Sequence, residues 1–344
     1  MSPRPRIYLD HAATTPILPV VKAAMVEAME RWANPSSPHA EGRAARAALE
    51  DARERIKRAL GWTGELIFAS GATEAIDIAL SAFAPEDIAI SAVEHDAVIR
   101  AAPGGERIPV SGRGVIDPAN LPNRRLIAIQ AANNETGILQ PAREIAAAAR
   151  DQGQLFFCDC AQIAGKVPLP DADLICVASH KLGGPPGVGA LLVRDLALLK
   201  ARGGQEGGYR GGTQNLPAIL GLAAALDARD AWLGSAERLR IALERRLAAA
   251  GAEIVGADSP RIPTIGAYRM PGVSSEAQLI HFDLAGIAVS AGSACSSGTM
   301  KASHVLTAMN WPEQAAREVV RVSFGPRTTA AEVDAFAAAW EQLA

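Results

Sequence analysis

The chain is poor in aromatic residues, which fill 4% of its 344 positions, and it holds only four cysteines. A core short of large rings must be built from aliphatic side chains, and much of the 49% hydrophobic content is alanine. Alanine is the strongest helix former, so many closely packed helices are expected. No apolar run of about 18 residues occurs, so no transmembrane helix is expected. The opening residues, MSPRPRIYLDHAATTP, lack the apolar stretch of a secretory signal. The net charge is −3, which argues against a broad basic face for nucleic acid. Neither the G-x-x-x-x-G-K-[ST] phosphate loop nor a G-x-G-x-x-G after a strand is present, which removes the ATP and Rossmann dinucleotide readings. A soluble, cytoplasmic protein is the expectation.

The cysteines fit a reducing compartment. Cys158, Cys160 and Cys176 lie in apolar runs, where buried inert thiols are the default. Their spacing is not C-x-x-C, and no metal site is expected. Cys295 differs, because it sits in SAGSACSSGTM, a small and polar setting.

Periodicity gives the organisation. Ala45, Leu49, Ala52, Ile56 and Leu60 recur at helical spacing, with Gly61 as a stop. ELIFAS (65–70), DIAISA (87–92), RLIAIQAA (125–132), QLFFCDCA (154–161), DLICVA (173–178) and GALLVRD (189–195) read as strands, with helices starting at GATEAIDIALSAF and PAREIAAAARDQG. Such alternation implies βαβ units and a mostly parallel sheet. From about 217 to 250 the pattern is helical. Shorter strands and helices follow, ending in a helix with Val333, Phe336, Trp340 and Leu343 on one stripe. The reading is a large α/β unit and a smaller α+β unit.

Four motifs sit where strands end. SGATEAI (70–76) leaves backbone N–H groups free at a helix start, a cup for phosphate with the Thr73 hydroxyl as a further donor. It reads equally as a capped strand–helix turn. AANNETG (131–137) presents side-chain amides at the edge where open α/β sheets bind ligands, or is an Asn-rich turn. CDCAQ places Asp159 at the end of an apolar strand, where a carboxylate needs a cationic partner such as a protonated heteroaromatic nitrogen; the alternative is a turn cap. In SHKLGGPPGVG (179–189), Lys181 follows a buried strand. Desolvation there makes a nucleophilic amine, able to form a Schiff base with pyridoxal phosphate. The glycine-rich run would let backbone pass close to a cofactor. Phosphate turn, amide loop, acid and lysine in that order supply the parts of a pyridoxal phosphate site.

At this point the chain resembles the pyridoxal phosphate-dependent cysteine desulfurases of the NifS/IscS group, within the class V aminotransferases. The matches run from YLDHAATTP (8–16) through NPSSPHAEGR, SGATEA, VEHDAV, NNETG, DCAQIAGK, SHKLGGPPGVGAL, GGQEGGYRGGTQN and GSACSS to RVSFGPRTT (321–329). The resemblance implies a fold-type-I enzyme, with a large domain over 15–240 and a small domain made of 1–14 and 241–344. It implies that Lys181 carries the cofactor, that His95 stacks on its ring and relays protons, that Asp159 pairs with the pyridinium nitrogen and that Gln162 bonds the phenolic oxygen. Gly71, Ala72 and Thr73 would hold the phosphate, joined by His180 and by Thr213 of a second subunit, which requires a homodimer. Asn134 and Arg321 would grip the substrate carboxylate, with Asn34 lining the pocket. Cys295 would take sulfur from L-cysteine as a persulfide, leave L-alanine and pass the sulfur to an iron–sulfur scaffold or a tRNA-thiolation protein. Relatives usually have a serine where this chain has Ala178, with Ser179 one residue on. A selenocysteine lyase or another class V aminotransferase or lyase is the alternative.

Overall fold

Small apolar residues every third or fourth position bury one face of the longest helix, and each apolar run between helices becomes a strand buried on both faces. The computed structural model describes residues 6–30, 32–229, 232–292 and 302–344. The first half comprises β1 (Ile7–Tyr8), α1 (Pro19–Met29), α2 (Ala40–Leu60), β2 (Glu65–Ala69), α3 (Ala72–Leu80), β3 (Ile88–Ser91), α4 (Asp96–Ala101), β4 (Glu106–Ile108), β5 (Leu126–Gln130), α5 (Ala142–Asp151), β6 (Leu155–Asp159) and β7 (Leu174–Ala178). The second comprises β8 (Gly189–Val193), α6 (Leu216–Asp227), α7 (Leu233–Ala249), β9 (Glu253–Ile254), β10 (Ile265–Arg269), α8 (Ser275–Leu284), β11 (Ile287–Ala288), β12 (Ser290–Ala291), α9 (His304–Ala308), α10 (Glu313–Ala316), β13 (Val319–Ser323) and α11 (Ala330–Leu343).

The main sheet has seven strands in the order β2-β8-β7-β6-β5-β3-β4. Only β8 runs against the rest, since it pairs antiparallel with both β2 and β7 while the other pairs are parallel. The carboxyl ends of six strands therefore share one edge. Alternate residues separate two cores: Ile127, Ile129, Phe156, Cys158 and Ile175 on one face, Leu126, Ala128, Phe157, Leu174 and Cys176 on the other. That two-sided burial is why these strands read as continuous apolar runs.

At the sheet's outer edge, β2 would leave a backbone donor unpaired. The buried Glu206 carboxylate covers it, accepting from Phe68 N at 2.9 Å and from Arg53 at 2.9 Å. A second, antiparallel sheet has the order β12-β13-β10-β9. Its core holds Tyr268, Phe282, Phe324, Phe336 and Trp340, a cluster of large rings in an aromatic-poor chain. Tyr8 and Leu9 tie the amino-terminal strip to this sheet through β11, and Ser323 N donates to Leu9 O at 2.8 Å.

The glycine-rich segment after Lys181 is crowded chiefly by protein. A Cβ on Gly184 would lie 2.1 Å from Ser179 Oγ, and one on Gly183 2.7 Å from Leu18. At Gly189 it would meet Val177 O at 2.5 Å and Gly71 Cα at 2.8 Å. Gly189 is in register with both Ala69 and Ala178, so it seats the turn after β2 against the strand before Lys181. Gly189→Ala should therefore lower stability by about 1–3 kcal/mol, because backbone on both sides must move. Urea denaturation measures the loss, and an unchanged midpoint would refute this packing role.

Candidate active site

Each motif at the shared edge is placed by the strand before it. After β2, Gly71 caps α3 without a side-chain hydrogen bond. The first N–H groups of the helix, those of Ala72 and Thr73, thus point out of its amino terminus. Glu74 stabilises the same turn by accepting from Ser70 N and from Arg210 Nε at 3.0 Å. After β3, His95 caps α4, its Nδ1 accepting from Ala97 N at 3.1 Å. The neutral ring therefore carries its proton on Nε2. Burial, and then the charge of Lys181, hold the His95 pKa below its ordinary value.

After β5, Asn133 builds the turn. Its Oδ1 accepts from Glu135 N and Thr136 N, both at 2.9 Å, and its Nδ2 reaches Val93 O. This leaves the Asn134 side chain free of turn duty. Gly137 closes the turn at φ 76°, where Ile265 O leaves no room for a Cβ. The residue that builds the turn, Asn133, and the amide expected to bind substrate, Asn134, are thus neighbours in one loop.

At the end of β6, Asp159 is 8% exposed. Its Oδ1 accepts from Ala161 N at 2.8 Å and from Cys176 Sγ at 3.2 Å. The turn-cap reading of Asp159 therefore holds, yet no lysine or arginine forms an ion pair with it among the described residues. Gln162 donates from Nε2 to Ala12 O at 3.0 Å, while its Oε1 is buried without a partner. After β7, Ser179–Lys181 form one short helical turn. Ser179 Oγ is fully buried, unpaired and packed on Gly184. His180 is half-buried, with a pKa lowered to about 4 by burial and then by Lys181.

The second sheet supplies the opposing wall. Arg321, on β13, is 5% exposed. It donates to Asp10 Oδ1 at 2.7 Å and to Asn134 O at 2.9 Å, and its Nε–H is buried with no acceptor. One guanidinium thus joins the amino-terminal strip, the amide loop and the second sheet, and keeps an open donor. Asp10 carries no separate signal in YLDHAATTP; only its ion pair reveals it. Glu135 was likewise not singled out. Its side chain accepts from Ser303 Oγ, and a Cβ on Gly292 would lie 2.2 Å from its Oε2. Both described flanks of the stretch 293–301 thus meet Glu135, whose carboxyl burial pushes toward the protonated form. Cys295 lies outside the described residues.

Two assignments stand apart. Asn34 is exposed, and its Oδ1 accepts from Ser36 N at 2.9 Å in a local turn. Thr213 is exposed beyond the edge strand β2. The three other cysteines are buried free thiols whose pKa values burial raises.

A phosphate-sized helix start, a buried uncompensated acid and a lysine, gathered at one edge of such a sheet, define a fold-type-I pyridoxal phosphate enzyme. The chain belongs to the class V aminotransferase family, whose pattern matches residues 7–336, and pyridoxal phosphate is its cofactor. It is 38% identical over 360 residues to a cysteine desulfurase of Enterobacter agglomerans, covering 95% of this chain and 90% of that one. It is 36% identical to the cysteine desulfurase IscS of Dictyoglomus turgidum, covering 94% and 90%. A NifS-like protein from Rickettsia africae has the same fold, with a TM-score of 0.88 at 32% identity and 98% and 99% coverage. The residues fit the cofactor on their own chemistry. Asp159 lacks a cation, the buried Gln162 amide lacks a partner at one end, and the helix start after Gly71 offers uncapped donors.

His11, buried beside Thr15, has its pKa lowered from 6.5 to about 4, first by burial and then by Lys166. His11 and His180 stay neutral in the fold over a pH range where the unfolded chain protonates them. Their contribution to stability is complete above pH 6.5 and is lost as pH falls toward 4. His11→Asn should flatten the fall of the urea midpoint across that window; an unchanged slope would refute the shift.

Proposed function

We propose that this protein is a cysteine desulfurase: L-cysteine and the Cys295 thiol become L-alanine and a Cys295 persulfide. The Cβ–S bond of the substrate breaks, an S–S bond forms on Cys295, and the thiol proton ends on the alanine methyl. The observation that carries the reading is that Lys181 and Asp159 both act on the ring of His95, while Arg321 from the second sheet holds the amide loop through Asn134 O and keeps a buried donor without an acceptor. Bound pyridoxal phosphate supplies an aldehyde to capture the substrate amine and an electron sink for cleavage at Cβ.

The chain's own groups do the rest. Asp159 holds a proton on the ring nitrogen of the cofactor, since a buried carboxylate favours a cation beside it. The N–H groups of Ala72 and Thr73, the Thr73 hydroxyl and neutral His180 hold the phosphate, with the backbone of Gly71 shaping the turn. Gln162 would offer its amide to the phenolic oxygen, and the neutral ring of His95 would stack on the cofactor. Lys181 Nζ moves the proton at the substrate Cα. Arg321 and the Asn134 side chain grip the carboxylate, with Asn34 nearby. Asp10 fixes the guanidinium plane for that bidentate contact.

The same reading divides the chain into a large domain over 15–240 and a small domain of 1–14 and 241–344. It also takes the enzyme as a homodimer. Val20, Val26, Met29 and Trp32 are exposed along and just beyond α1, and Trp32 at 80% is too large an apolar surface to leave to water. Thr213, exposed beyond β2, suits a phosphate contact in the partner subunit. The persulfide passes to an acceptor protein of iron–sulfur assembly or tRNA thiolation, in a cytoplasm that keeps thiols free. Among the described residues no helix is long and apolar enough to cross a membrane.

Cys295→Ala should abolish alanine formation from L-cysteine while the protein keeps its yellow cofactor band; undiminished alanine release by this variant would reject the desulfurase reading. Arg321→Lys loses the planar fork and should raise KM for L-cysteine by about 10- to 100-fold, the worth of one charge-assisted hydrogen bond. A KM within twofold of wild type would remove Arg321 from the carboxylate site.

A further inference from the structure

Lys166 closes the DCAQIAGK motif in the turn after β6, and the roles above leave it unused. Its backbone N–H donates to Ile163 O at 2.9 Å, but its side chain makes no hydrogen bond or ion pair among the described residues. With Lys181 it lines a cavity of about 50 Å³, whose other walls include Thr15, Leu226, Arg229 and Trp232. No carboxylate lines that cavity. An amine held out of water with no counter-charge is costly. Here its neighbour across the cavity is the amine on which the chemistry depends.

Resting on the reading of Lys181 as the cofactor-bearing lysine, we propose that Lys166 is a positioning residue for it: a positive charge at Lys166 keeps the Lys181 nitrogen unprotonated, and so available as nucleophile and base. Two amines in one small, poorly solvated space repel when both are charged, so the pair holds one proton far more readily than two. Burial first, and then the charge of Lys181, lower the Lys166 pKa from 10.5 to about 7, and only the second cause is the reciprocal side of the same repulsion.

The groups around the pair add to this bias. His11 on the amino-terminal strip feels Lys166, and Glu332 at the start of α11 acts on His11 in the opposite sense. His180 and His95 both feel Lys181, and Arg229 lines the cavity from the end of α6. Asp159, the acid of β6, acts on His95. Of the described residues that line the cavity, Arg229 adds a positive charge and no carboxylate offsets it, while Glu332 and Asp159 act on the neighbouring histidines. The effect holds whether the Lys181 nitrogen is a free amine or joined to the cofactor, since protonation makes a cation in either state.

The test is a pH titration of the visible absorbance of the purified holoenzyme, for wild type, Lys166→Met and Lys166→Arg. Methionine keeps the length and removes the charge, so the midpoint should rise by about one pH unit or more. Arginine keeps a permanent charge and should hold the midpoint within about half a unit of wild type. A merely structural role predicts no difference in midpoint, or equal shifts for both variants, and either result overturns the proposal. Thermal melts accompany the titrations. Should Lys166→Met fail to fold, Lys166→Gln takes its place with the same expected shift and the same refuting result. A wild-type protein that takes up no pyridoxal phosphate overturns the cofactor reading, and this proposal with it.

Discussion

A carboxylate removed from water needs a positive partner, and among the described residues no lysine or arginine forms an ion pair with Asp159. Its oxygen is held by one backbone N–H and one thiol, at the end of a strand buried on both faces. Everything around it follows from the same constraint. The Gln162 amide is half-satisfied, the Arg321 Nε–H has no acceptor, and the α3 amino terminus is uncapped. Each is a group whose missing partner is polar or charged, and together they describe a ligand that brings a cation, a phosphate and a carboxylate. The site is stable because its protein contacts are nearly complete, and reactive because they stop short of complete.

Position comes from the sheet. With β8 alone reversed, six strands deliver their carboxyl ends to one edge, and residues as distant as 71 and 189 become neighbours. Gly189 sets the spacing between two of those ends by admitting Gly71 into van der Waals contact. Arg321 closes the arrangement from the other sheet, and its pair with Asp10 binds the amino-terminal strip to the amide loop. The buried Glu135 then links that loop to both described flanks of the segment that contains Cys295.

Where residues carry their own physical signature, the sequence reading agrees with the structure. The stripe of Ala45, Leu49, Ala52, Ile56 and Leu60 forms the buried face of α2, and each apolar run yields a strand within two residues of its expected ends. The motif residues Thr73, His95, Asn134, Asp159 and Lys181 fall at strand ends, because a polar residue after a β-run marks where the buried sheet stops. The glycine run after Lys181 reads in sequence as backbone passing close to a cofactor, whereas protein crowds it: Leu18, Ser179 and Gly71 come from three separate segments. Asp10, Glu135 and Lys166 gave no warning, since an isolated charge in sequence looks alike whether it faces water, an ion pair or another lysine.

The sequence by itself determined the periodicity of the elements, the two-sided burial of the central strands and the order of the chemical groups along the chain, because these depend on neighbours a few residues away. Only the tertiary structure decided which charges compensate one another and which are left unpaired. Pairing depends on distances between segments that chain order does not encode: Arg321 finds Asp10 across 311 positions, while Asp159 and Lys166 form no ion pair among the described residues. That difference, set by packing, separates the groups that hold the fold from the groups left to bind and react.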